Sequence, residues 1–252
     1  MLALKLLLVP ALLAVVTLAG RRWGQRVAGW LGSFPIVAGP ILLILTLENG
    51  ASFGAAAAER ALAAVAATMG FFVLYARLAP RLPWPVTAPV CTACWLVLVA
   101  WLGVLPQTPI AAASVATVAL LLAPRAMGSG ALPTNTLAPA APAHGELLAR
   151  MLAGATLVLF TSGVAADFGP EASGHASLFP VVGGTAAVSN HARQGAGTAV
   201  DFLRGTHRGM WSVAVFCGVL SLALPRMPVA AAFGLTLVAT VATHALTLPR
   251  RR

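Results

Sequence analysis

Residues 33–40 read SFPIVAGP, and residues 178–185 read LFPVVGGT. The two octapeptides lie 145 positions apart, and at that shift the chain aligns with itself without a gap. Gly50 falls on Gly195, Phe71 on Phe216, and PRLP at 80–83 on PRMP at 225–228. Upstream, Leu7 meets Leu152, Leu12 meets Leu157 and Lys5 meets Arg150. Ten of the fifty positions 34–83 are identical, and three of the ten are prolines: Pro35/Pro180, Pro80/Pro225 and Pro83/Pro228. A shared alanine says little in an Ala-rich chain. A shared proline says more, because it fixes φ and removes an amide donor, so it marks a particular backbone position. An internal repeat therefore organises the chain.

Composition gives the solvent. Of the 252 residues, 59% are hydrophobic and only 9% charged, with a mean hydropathy of +0.90. Soluble domains carry about a quarter charged residues. This chain has no polar face to turn to water, so it is expected to partner the lipid bilayer. The net charge of +10 does not point to nucleic acid. The basic residues are scattered between apolar runs and form no stripe with interleaved aromatics. Cys91, Cys94 and Cys217 all lie in apolar segments, which argues against a disulfide framework.

About 20 apolar residues cross the hydrocarbon as a helix. That ruler gives nine candidate spans, near 2–20, 33–49, 58–79, 86–105, 108–124, 147–166, 178–192, 209–224 and 229–248. The second, seventh and eighth are short, and the eighth can extend back to 198. The first resembles a signal peptide, but its strongest basic cluster, Arg21, Arg22 and Arg26, follows the apolar core. That order suits a retained helix. The stretch 126–146, rich in Pro, Gly and Ala, reads as a flexible linker.

The expected fold is an all-α integral membrane protein of about nine transmembrane helices. Two four-helix repeats, 3–105 and 147–250, are joined by a linking helix at 106–125 and the flexible linker. One intervening helix makes the separation odd, so the repeats are expected to be inverted. Charge supplies an independent test. With the Arg21–Arg26 loop in the cytoplasm, alternation places 13 of the 16 Lys and Arg residues on the inner side. Only Lys5, Arg60 and Arg226 fall outside. This obeys the positive-inside rule and predicts the N-terminus outside and the C-terminus in the cytoplasm. Equivalent loops also switch sign: Arg21, Arg22 and Arg26 answer to Asp167 and Glu171, and Glu48 and Glu59 answer to Arg193 and Arg204.

The second repeat carries Leu178-Phe179-Pro180, His191, Met210-Trp211-Ser212 and Met227-Pro228. In this it resembles the small GlpM-type proteins of the bacterial inner membrane over roughly 80 residues. The first repeat keeps Phe34-Pro35 and Leu82-Pro83, but has Thr46 in place of the His and Val65-Ala66-Ala67 in place of Met-Trp-Ser. The resemblance implies a four-helix module, duplicated here and lodged in the bacterial inner membrane. It implies no particular chemistry.

The candidate substrate-binding residues are Pro35, Gly39, Pro180, Gly184, Asn190 and His191. The two Phe-Pro pairs suggest broken helices whose freed backbone groups bind solute. The plainer reading is proline in a first helical turn, where no amide is needed. Ser189, Asn190 and His191 form the most polar run in a predicted span, and polar groups inside a membrane are functional candidates. Their plainer place is the interface beside Arg193. His244 reads as an interfacial residue near the cytoplasmic end of the last helix. Glu48 and Glu59 read as orientation markers. Cys91 and Cys94 share a helix face but have no second ligand pair, so they read as packing. No catalytic motif, metal site or cofactor site is found. Inverted repeats point to a small-solute permease with its site between the repeats. The alternative is a non-transporting accessory or scaffold protein of the GlpM-like type.

Overall fold

The computed structural model describes residues 25–104, 108–128 and 169–248. The expected spans 2–20 and 147–166, the linker 126–146 beyond residue 128, and the charges at Lys5, Arg21, Arg22, Arg150, Asp167 and 250–252 lie outside the described residues. Every element among the described residues is a helix. In chain order they are α1 (Gln25–Gly32), α2 (Ala38–Asn49), α3 (Ala51–Leu78), α4 (Trp84–Val104) and α5 (Pro109–Met127). These are followed by α6 (169–177), α7 (Val181–Gln194), α8 (Ala196–Ala223) and α9 (Val229–Leu246).

The 145-residue offset reappears in these boundaries. α3 and α8 each have 28 residues, and both ends of α8 lie 145 positions after those of α3. α9 starts 145 positions after α4. The hinge glycines agree as well: Gly50 has φ +93° and Gly195 φ +88°. A side chain rarely adopts that conformation, so glycine lets two helices abut with one residue between them.

α3 and α8 form the centre and pack against each other. They run antiparallel. Gly54 near the start of α3 faces Leu224 just past the end of α8, and Gly218 near the end of α8 faces Leu62 in the first half of α3. α5 packs across both. Its C-terminal end accepts bonds from Arg77 at the end of α3, to Ala126 O, and from Arg204 near the start of α8, to Gly128 O. Opposite ends of the two equivalent helices therefore meet at one end of the bundle.

The short helices cross over. α1 packs on α8, so closely that a methyl group on Gly29 would overlap Phe202 O. α6 reaches α3 in the same way, and a methyl group on Gly174 would overlap Ala57 O. Gly174 lies 145 positions after Gly29, and Phe202 lies 145 after Ala57. Small residues allow such backbone approach between membrane helices.

Four helices, α3, α4, α5 and α9, are long and apolar enough to cross a membrane. The outward faces of α4, α5 and α9 carry exposed Val97, Trp101, Ile110, Leu122, Val238 and Val241. Such faces suit hydrocarbon. α8 matches α3 in length, but Asp201, Arg204, His207 and Arg208 fall in its first half. The expected spans at 33–49 and 178–192 take a different form. Each is preceded by a further short helix, so that α1–α2 and α6–α7 are two helices interrupted at their Phe-Pro pairs.

Candidate functional site

Proline cannot donate to the preceding turn, and its ring crowds the carbonyl four residues back. At Pro35 the chain therefore leaves the α1 path. Ser33 N bonds Gly29 O and Phe34 N bonds Leu31 O, closing α1. Ile36 N then bonds Phe34 O at 2.6 Å, and Gly39 N bonds Pro35 O at 2.8 Å, opening α2. The second break repeats this 145 residues on. Val181 N bonds Phe179 O at 2.7 Å, and Gly184 N bonds Pro180 O at 2.6 Å. Neither α2 nor α7 has a side-chain cap at its start.

The two breaks face one another. Between them lies a cavity of about 70 Å³, lined by residues of both breaks. Phe34, Pro35, Phe179 and Pro180 contribute from the breaks, Thr68 and Phe72 from α3, and Thr206 and Met210 from α8. A water needs about 10–15 Å³ on this measure, so a few waters or one small solute would fit. The polar lining consists of hydroxyls. Ser33 Oγ donates to Trp30 O at 2.6 Å, Ser177 Oγ to Gly174 O at 2.7 Å, and Thr206 Oγ1 to Phe202 O at 3.0 Å. Thr68 Oγ1 donates to Ala64 O or to Leu178 O, the latter at 2.9 Å, and so ties the second break to α3. With their hydrogens held by backbone carbonyls, these hydroxyls present acceptor oxygens. No charged side chain lines the cavity.

Each break phenylalanine also meets a ring from the last helix of the opposite unit. Phe179 packs edge-on against Trp95 of α4, at 5.0 Å between centroids. Phe34 packs edge-on against His244 of α9, at 5.3 Å. His244 is buried and stacks on Trp30 at 4.1 Å. Its Nδ1 lies 2.9 Å from Ser212 Oγ, and its Nε2 has no partner among the described residues.

Of the six expected site residues, Pro35 and Pro180 line the cavity. Gly39 and Gly184 sit one turn further along α2 and α7, facing Phe216 and Phe71 respectively. These two contacts are themselves equivalents at the 145 offset. Asn190 and His191 lie near the far end of α7. Asn190 Nδ2 bonds Gln25 Oε1 at 3.1 Å, and His191 Nδ1 lies 3.3 Å from Tyr75 Oη. They join α7 to the ends of α1 and α3. His244, expected near the end of the last helix, lies in the last turn of α9 and is buried there. Cys91 is buried and Cys94 half-buried, and no cluster of metal-ligating side chains occurs among the described residues.

Two features had no one-dimensional signal. Arg60 of α3 is an inward-facing cation whose Nη2 lies 2.6 Å from Glu171 of α6. Arg26 of α1 pairs with Asp201 of α8 at 2.9 Å. Arg26 and Glu171 are equivalent positions, so one crossover carries the cation on its short helix and the other carries it on its long helix.

No family model, curated protein or solved structure matches this chain.

Proposed function

We propose that the chain is a small-solute permease of the bacterial inner membrane. In this reading two inverted four-helix units rock about the cavity between their broken helices. The observation that carries it is the pair of facing helix breaks, each with uncapped backbone at a shared cavity. Irregular backbone inside a membrane is tolerated where protein buries it or where it lines a cavity. Discontinuous helices at a repeat interface are a recurrent means of binding solute near the midplane.

Inversion is supported by the antiparallel packing of α3 and α8, the equivalent helices of the two units. If α3 crosses the bilayer, α8 crosses it in the opposite sense. Orientation is supported by charge. Arg77, Arg125 and Arg204 gather at the C-terminal end of α5, and Arg26 is tied through Asp201 to that same stretch of α8. By the positive-inside rule that end is cytoplasmic. The cavity is uncharged and mostly apolar, with four hydroxyls in its lining, which suits a small uncharged solute. The GlpM-like module would then be the unit that was duplicated.

The test is a solute panel read by thermal shift of the purified protein, followed by flux into proteoliposomes. A solute that binds only the folded state raises the melting temperature with its concentration. The permease reading predicts at least one stabilising solute that also crosses. No stabilising solute and no flux would leave the accessory or scaffold reading in its place.

A further inference from the structure

We propose that His244 is a proton-binding site and that the proton it takes up drives movement at the first helix break. The inference deepens the permease reading by naming the coupling ion.

The tautomer follows from the hydrogen bonds. Ser212 Oγ lies 2.6 Å from Gly209 O, which can only accept. With the single hydroxyl hydrogen on this shorter bond, the 2.9 Å bond between Ser212 Oγ and His244 Nδ1 is donated by Nδ1. Nε2 is then a bare acceptor, buried and unpartnered. Of the two nitrogens it is the one able to receive a proton from water. The imidazolium so formed would lie against Trp30, whose ring is stacked at 4.1 Å and 19°. A cation on an indole face is attracted by the ring quadrupole.

The new Nε2–H would have no acceptor where it now sits, and a buried donor without one is unfavourable. The ring must therefore shift or admit water. Its ring and hydrogen-bond partners among the described residues are Trp30 on α1, Phe34 at the break and Ser212 on α8. Phe34 lines the cavity, so a shift of the ring reaches the break directly. Other charged or titratable groups stand on the packed elements, and His244 is bonded to none of them. Arg26 on α1 holds Asp201 on α8. Asp201 also holds Arg204, and His207 Nε2 lies 2.8 Å from Leu120 O on the α5 side. Arg208 on α8 is exposed.

The opposite unit lacks the device. Val99 and Ala67 stand where His244 and Ser212 would be, and the second break rests on Trp95. Proton binding would therefore act on one break of the pair.

The experiment uses the full chain in lipid nanodiscs. Imidazole nitrogen NMR is recorded between about pH 4 and 8, with the His244 signal assigned by its loss in H244N. A cysteine at Ser33 (S33C) reports access to the break through its rate of maleimide labelling. Each rate is divided by that of S33C/H244N at the same pH, which cancels the thiol's own pH dependence. Expected are an Nδ1–H tautomer at high pH, protonation of Nε2 on acidification, and a several-fold rise in the labelling ratio over the same range. An Nε2–H tautomer, a His244 neutral throughout, or a flat ratio would overturn the proposal. Neither readout needs a transported solute. Absence of flux would thus sink the permease reading alone, and flux without titration would sink the coupling site alone.

Discussion

The two helix breaks share a pattern of amide bonds but differ in length, 33–37 against 178–180, and in what holds them. Both leave the helix at a Phe-Pro pair, re-enter it through the same pair of amide bonds, and face the same cavity. The second is fixed. Leu178 O accepts from Thr68, Phe179 rests on Trp95, and Trp95 Nε1 approaches Thr68 Oγ1 at 3.4 Å. The first rests on His244, a ring that can change its charge. Two breaks at one sequence offset thus differ at the few positions that surround them. The crossovers differ likewise. The Arg26–Asp201 pair is solvated, with side chains 50% and 38% exposed, whereas the Arg60 side chain is only 9% exposed.

The largest expected effect tests whether the crossovers are equivalent. Gly29→Ala and Gly174→Ala should each cost about 3 kcal/mol, the upper range for overpacking, because the added methyl meets a carbonyl held in a helix. Both should lower the thermal midpoint by similar amounts. A loss confined to one would break the equivalence. The ion pairs should separate the crossovers. Glu171→Ala leaves the Arg60 guanidinium buried and unpaired, and should cost about 2 kcal/mol, less than a fully buried pair because Glu171 itself is solvated. Arg26→Ala should cost about 0.5 kcal/mol, as exposed pairs do. Equal losses would erase the distinction drawn from burial.

Trp95→Phe should cost about 1 kcal/mol through its weak bond to Thr68 and some packing, with no change in the pH dependence of labelling at S33C. A changed pH profile would show that the second break is also proton-linked. The smallest effect is expected at Gly234, in α9, where an added methyl meets nothing. Gly234→Ala should be neutral, or stabilising by up to about 1 kcal/mol through helix propensity. A clear loss there would mean that this face is covered.

Much of the central architecture was legible in the sequence. The offset read from three proline pairs is the offset of both ends of α3 and α8 and of the starts of α4 and α9, and Gly50 and Gly195 are the two hinges. The half-helices α1 and α6 were not legible. QRVAGWLG at 25–32 is short, carries Arg26 and follows two arginines, so a hydropathy ruler reads loop. The extension of the eighth span back to 198 was legible, and α8 starts at Ala196, but what holds its polar first half was not. Asp201, Arg204 and His207 depress its hydropathy, while their bonds to Arg26, Gly128 O and Leu120 O hold it in place. The candidate site was half legible. Pro35 and Pro180 line the cavity because a break must sit at proline. Asn190 and His191 were chosen for polarity within an apolar run, which does not reveal that their partners are Gln25 and Tyr75. His244 depends on Trp30, 214 positions earlier, and only folding brings the two together.

The central claim is that equivalent points of the two units face opposite sides of the membrane. Asn49 and Gln194 are such a pair, each one residue before its hinge glycine. Single cysteines there, Asn49→Cys and Gln194→Cys, can be labelled with a membrane-impermeant maleimide in intact cells and in inside-out vesicles, against the parent chain as background. The account predicts that N49C is labelled in intact cells and Q194C only in inside-out vesicles. Labelling of both from the same side would contradict it.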